Sequence, residues 1–287
     1  LARYPNIGFL FADSPNGQNG FSDNDLPNNG NLYVGAGLHM RTARYRYEER
    51  LVSVQSGRYL GFDKPTVNSI IKGAGYYLTG KLEFLDTAGE FYYDSENQQL
   101  YLKPIDGKVP QVNSIEASRY DNGIKLESSP GIIIREVRIV HQQKNGIYAY
   151  GAPTDYLTIT DCVFQNIFLY GITGSNKRNV TISQNKFMDI WDGGVFLGGV
   201  PNLTITNNLF KRIGIAAPGQ ATDNLISYKC IDMNGSDGII SNNILDSIGN
   251  GGIQFFQKTL VEKNIITRYC MPLDDGAGIG AWVPIRV

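Results

Sequence analysis

The sequence predicts an all-β fold, a parallel β-helix solenoid with an inserted β-hairpin and one long corner loop. Three observations carry this. The line NVTISQNKF, from Asn179 to Phe187, returns as NLTITNNLF, from Asn202 to Phe210, after 23 residues, and a fixed period of this size marks stacked repeats. The register extends upstream to YLTITDCVF and GIIIREVRI, and more loosely downstream to DGIISNNIL and TLVEKNIIT. Like residues then fall into columns. One holds Ile134, Ile159, Ile182, Ile205, Ile240 and Val261. Another holds Ile139, Phe164, Phe187, Phe210, Leu245 and Ile266.

Each column has a physical reading. Like positions of successive coils stack at the inter-strand spacing of roughly 4.8 Å, so aliphatic columns fill the interior. Asn185, Asn208, Asn243 and Asn264 form a third column, with Cys162 and Val137 at its upstream end. Stacked amides can satisfy one another along the helix axis. A Gly-Ile/Val pair recurs at Gly123, Gly146, Gly171, Gly194 and Gly252, which is read as backbone turns with positive φ.

Taken in order, residues 1–32 are rich in Asn, Gly, Asp and Pro and are expected to be irregular. Residues 33–122 carry alternating runs (NLYVGAGLHMRT, RYRYEERLVSV, GRYLGF), read as early coils of the solenoid. Within them, EFYYD and LYLKP flank a polar turn and predict a hairpin inserted at 80–104. Residues 123–287 are regular coils, with one exception. The interval from Gly194 to Gly252 is too long for two coils, and the surplus lies in GIAAPGQATDNLISYK, Gly214 to Lys229. A long loop on a rigid stack is where function concentrates. It leaves at the corner that also carries IWDGG and MPLDDGAG. The chain opens on LARYPN and stops as a new coil begins, which predicts a fragment of a longer protein with additional domains.

Composition narrows the function classes. The 287 residues carry a formal net charge of −1, which excludes a strongly basic nucleic-acid binder. No apolar run of about 18 residues is present, so no helical membrane insertion is expected. Three cysteines, Cys162, Cys230 and Cys270, are no disulfide framework. Cys162 reads as a small buried residue, and Cys230 could pair with Cys270 only if their corners meet.

LARYPN, the HMRT strand, LDTAGEFYYDSENQQLYLKP, the Asn-column coils and DDGAGI, in that order, resemble the right-handed parallel β-helix, or pectin-lyase-like, proteins secreted by bacteria. The stretch Leu85 to Pro104 resembles their LD-x-x-GEWYYD…LYLYP hairpin, with Phe91 in place of Trp. DDGAGI resembles the DGGAIY motif of β-helix glycoside hydrolases, without the Tyr. The resemblance covers essentially the whole chain. It implies a secreted or cell-surface location, a polysaccharide or other glycan as partner, and a glycoside hydrolase-like activity. The same fold hosts lyases, adhesins and tailspikes, so a polysaccharide lyase and a non-catalytic adhesion or spacer module of a bacterial surface protein stay open as alternatives.

Residue chemistry supplies the candidates. Asp274, Asp275 and Asp192 are the acidic set for a general acid, a base or a nucleophile. Glycoside hydrolysis needs a second carboxylate about 5 to 9.5 Å away. Asp192 lies three coils before Asp274 and Asp275, roughly 14 Å off. The partner is therefore expected elsewhere, even beyond Val287. All three could instead be turn residues bonded to their own backbone. Trp191, Tyr228, Tyr269 and Trp282 offer aromatic faces for sugar rings, and Trp191 and Trp282 could equally pack the loop onto the stack. Lys229 and Arg268 could meet a uronate or take a proton in a lyase. His39 and His141 have no evident partner at sequence range. No metal-ligand spacing and no cofactor motif is present; calcium at the Asp-rich corner would be bound without an EF-hand or nonapeptide pattern.

Overall fold

The computed structural model describes residues 1–28, 30–111, 114–215, 228–235 and 237–281. The chain divides into two compact units, Leu1–Glu116 and a second from Ala117 onward. Most of the predicted corner loop and Trp282 lie outside the described residues.

The second unit is the parallel β-helix. Its strands form three parallel sheets. The first runs through Asn122–Leu126, Asn145–Ala149, Tyr170–Ser175, Gly193–Gly198, Ile231–Asn234, Ile253–Phe255 and Ile279–Ala281. The second begins at Ile132–Arg135 and the third at Arg138–Val140, each with six strands. The predicted columns are the observed register. Ile134, Ile159, Ile182, Ile205, Ile240 and Val261 pair in sequence along the second sheet. Ile139, Phe164, Phe187, Phe210, Leu245 and Ile266 do so along the third. The phenylalanine rings stack with centroids 4.7 and 4.5 Å apart and planes within 8°. That spacing is simply the strand spacing carried into the side chains.

The asparagine column is a closed ladder. The Oδ1 of Asn208 accepts the backbone N–H of Asn185 at 2.9 Å and its Nδ2–H at 3.0 Å. The Asn208 amide then donates to Ile182 O and to Asn243 Oδ1, both at 3.0 Å. Asn264 continues the ladder below Asn243, and Cys162 caps it by donating its backbone N–H to Asn185 Oδ1.

Two expectations are corrected. The recurring glycines of the first sheet do not have positive φ. Space selects them instead: a Cβ on Gly171 would stand 2.6 Å from the Phe187 ring and 2.7 Å from Gly194 O. The glycine column exists because the phenylalanine column fills the volume beside it. Positive φ falls elsewhere, at bends five residues apart: Asn179, Gln184 and Asp189 in one coil, Asn202, Asn207 and Arg212 in the next.

The second correction concerns residues 1–122. Strands Gly37–Ala43, Arg46–Ser56, Tyr59–Phe62 and Gly75–Thr79 pair antiparallel, and parallel coils begin only at Asn122–Leu126. Two-residue connections, Arg44–Tyr45 and Gly57–Arg58, join successive strands. Such short links permit only antiparallel neighbours. The N-terminal stretch is not wholly irregular either, since Arg3–Tyr4 and Leu10–Phe11 pair with Gly75–Thr79 and Gly20–Ser22 pairs with Tyr59–Phe62. The hairpin is present as Phe91–Asp94 against Gln99–Leu102. This unit has its own core, around Phe21, Tyr33, Leu38, Met40, Val52 and Tyr76. His39 is buried within this unit, hydrogen-bonded to Thr79 Oγ1 at 2.9 Å.

Candidate functional site

Every coil of the helix turns from the third sheet back into the first, and these turns stack. Trp191 N–H donates to Ile167 O, Gly214 N–H to Ile190 O, Gly249 N–H to Ile213 O and Ile248 N–H to Arg268 O. The surplus of the long interval falls between Ile213 and Ile231, because Ile213 pairs with Ile248 and Val195 with Ile231. Asp192, Trp191, Tyr228, Lys229, Arg268, Tyr269, Asp274 and Asp275 all sit on this one corner.

The structure separates these residues by accessibility. Asp192 is 1% exposed, and its Oδ1 accepts the backbone N–H of Tyr228 at 3.1 Å. Tyr228 is itself fully buried, and its carbonyl accepts the N–H of Asn250. These two therefore fasten the end of the corner segment to the stack. Neither the catalytic role expected of Asp192 nor the sugar contact expected of Tyr228 fits that burial. Arg268 is engaged as well: its Nε donates to Asp246 Oδ1 at 2.7 Å and its Nη2 to Oδ2. That pairing holds the Asp246 carboxyl down at about 2. Tyr269 is 46% exposed, with its ring edge against Gly278.

Asp274 and Asp275 are exposed on the turn that leads into Ile279–Ala281. The turn is held on both sides. Leu273 is fully buried and donates its N–H to Gly249 O. Gly276 lies so close to Asn250 that a Cβ there would be 2.0 Å from Asn250 Oδ1. The same turn approaches Cys270, whose thiol pKa is raised by burial and further by the charges of Asp274 and Asp275. All three cysteines are free thiols.

One acidic residue escaped the sequence reading. Asp232 lies on Ile231–Asn234 between Ile231 and Met233, which are fully buried. Strand alternation turns it to the outer face of the first sheet, in register with Phe196 on one side and Gln254 on the other. It is only 7% exposed, and its Oδ2 accepts a hydrogen bond from Lys229 Nζ at 3.1 Å. Tyr170 and Phe196, 5.6 Å apart, lie upstream on this face. A lone carboxylate in a strand otherwise built to be buried was the available signal. From Ile231–Asn234 the stack takes two steps, through Ile253–Phe255, to Ile279–Ala281. Asp232 is in register with Gly280 two strand steps on, roughly 10 Å away by strand spacing, and the Asp274–Asp275 turn precedes Gly280 by five to six residues.

Upstream on the corner is a groove of about 540 Å³. Phe168 and Trp191 form its aromatic wall, their centroids 5.2 Å apart. His141, Asn166, Gln142 and Gln143 supply its polar wall. Among the described residues no group of three or more His, Cys, Asp or Glu could hold a metal ion.

The profile of the family described as "Right handed beta helix region" matches residues 114–283. The chain belongs to the right-handed β-helix family. No curated protein matches it in sequence. A solved structure titled "Glycoside hydrolase" is similar, with TM-score 0.63 and 12% identity over 98% of this chain and 72% of that one. The tailspike protein gp49 of Pseudomonas phage LKA1 is 13% identical, with TM-score 0.38, over 88% of this chain and 41% of its own. For this right-handed β-helix the first of these two likenesses speaks to the fold.

Proposed function

We propose that the chain is a polysaccharide-active β-helix domain that hydrolyses a glycosidic bond with Asp232 and Asp275 as its carboxyl pair. The observation that carries this is Asp232 itself. A nearly enclosed carboxylate, held by Lys229 on the outer sheet face, lies two coils from an exposed, anchored acidic turn. Asp275 is favoured over Asp274 because it adjoins Gly276, which packs on Asn250 in the coil next to Lys229. The glycoside hydrolase title of the similar structure supports the same chemistry.

Two carboxyl groups on opposite sides of a glycosidic bond suffice for hydrolysis. One gives its proton to the leaving oxygen as the bond to the anomeric carbon breaks. The other takes a proton from the water whose oxygen bonds to that carbon. Lys229 positions Asp232, and the Tyr170–Phe196 face offers stacking for a sugar ring. A lyase is less well supported, because Lys229 and Arg268 are both committed to carboxylates. A polysaccharide substrate would be in keeping with a location outside the cell or on its surface.

The test incubates native chain, Asp232→Asn and Asp275→Asn with neutral and acidic polysaccharides, following new reducing ends and the ultraviolet absorbance of unsaturated products. Reducing ends without absorbance, lost in both variants, are expected. Absorbance would mean a lyase. Absence of both signals across the panel would leave a binding or adhesion module.

A further inference from the structure

The groove beside Trp191 is lined by neither residue of the proposed carboxyl pair. It occupies the corner of coils that precede Asp232, and Trp191 enters the strand Gly193–Gly198, three steps before Ile279–Ala281. We infer that it is a second, non-catalytic binding site for a neutral sugar chain.

Its lining matches that ligand. The tilted Phe168–Trp191 pair gives apolar faces for the C–H faces of pyranose rings. The polar wall is preset. Gln142 Nε2 donates to Val140 O at 2.8 Å, and Gln143 Nε2 donates to Ser118 O at 2.7 Å. Both amides are thereby fixed at the groove wall, where their remaining donors and acceptors can meet sugar hydroxyls without further ordering cost. Among the described residues the lining holds no Asp, Glu, Lys or Arg, and its titratable group is His141. A uronate carboxylate would meet no permanently charged cation among those lining residues, whereas a neutral glycan makes no such demand. Of the basic side chains adjacent in sequence to the lining, Lys144 is paired with Asp121 at 2.7 Å, and the Arg119 guanidinium lies 5.9 Å from the ring centroid of its neighbour Tyr120. The volume lies within the range of small-ligand sites.

The inference rests on the reading of the chain as glycan-active but is tested without turnover. The Asp232→Asn variant, carrying Trp282→Phe so that Trp191 is its one tryptophan, is titrated with xylo-, cello- and manno-hexaose and with hexagalacturonate. Tryptophan emission and calorimetry report binding. At least one neutral hexasaccharide is expected to bind about tenfold or more tighter than hexagalacturonate, and Trp191→Ala to weaken it about tenfold. If Trp191→Ala lowers the melting temperature, Trp191→Phe and Gln143→Ala carry the test. Failure of all three neutral sugars to bind, unchanged binding in folded Trp191 variants, or preference for the uronate each overturns the inference. Trp191-dependent binding without cleavage by the native chain overturns the hydrolase reading and leaves the groove. Cleavage without such binding does the reverse.

Discussion

Asp232 shows how one side chain changes meaning with its surroundings. In the sequence it is an acid inside CIDMN. In the fold it is an almost enclosed carboxylate hydrogen-bonded to the Lys229 ammonium. Replacing it by Asn keeps the shape and removes the proton transfer, so kcat should fall about a thousandfold with little change in melting temperature. Lys229→Met should lower activity less and shift the pH profile, as expected of a positioning residue. Asn208 is the structural counterpart. It satisfies groups of three coils at once, so Asn208→Ala strands the Asn185 N–H and the Ile182 carbonyl. Each orphaned buried group costs about 1–3 kcal/mol, and urea unfolding should register a loss of about 3 kcal/mol.

At the scale of the element, the coils are matched by complementary columns. Gly171 and Phe187 occupy the same volume from two sides. Gly171→Ala should destabilise by about 1–3 kcal/mol, and Phe187→Leu in the same chain should recover part of that loss, a coupling that a double-mutant cycle reads directly. Neighbouring coils are also clasped at their edges: Arg178 on Asp155, Arg212 on Asp189 and Arg268 on Asp246. For Asp246 the folded-state pKa, about 2, lies below its unfolded value. Such a carboxylate stabilises the fold above about pH 4, where the unfolded chain is ionised, and the contribution is lost as pH falls toward 2. Solvent screening keeps it to about 1 kcal/mol or less. The melting-temperature difference between native chain and Arg268→Ala should therefore be present at neutral pH and vanish near pH 2. A difference that persists in acid would assign Arg268 another role.

At the scale of the whole molecule, the helix is a ruler. Residues 43 positions apart, Asp232 and Asp275, are brought into coils only two strand steps apart, and the turn that carries Asp275 packs through Gly276 on Asn250 of the coil between them. Carboxyls two coils apart rather than one suit the wider spacing that leaves room for a water between sugar and base. The first-formed product should therefore carry inverted anomeric configuration, which proton NMR of a fresh reaction distinguishes. Retention would require a closer pair and would exclude Asp232 with Asp275. The 23-residue repeat, its apolar columns and the asparagine ladder were legible in the sequence, because in a solenoid each residue's neighbours are its own equivalents one period away. Antiparallel pairing of residues 37–79 was not read from the sequence, which took them as early coils, because alternation alone does not distinguish a coil from a hairpin. The site was less legible. Asp192 and Tyr228 look like site residues in the sequence and are buried fasteners in the fold, while Asp232 looks like part of a core strand and faces outward. By itself the sequence determined the solenoid and the corner on which the candidates gather, since stacking is a local and repeated relation. Only the tertiary structure decided which carboxylate is accessible and which is consumed by the backbone. That depends on contacts such as Tyr228 N–H on Asp192 and Lys229 on Asp232, which join residues that no period relates.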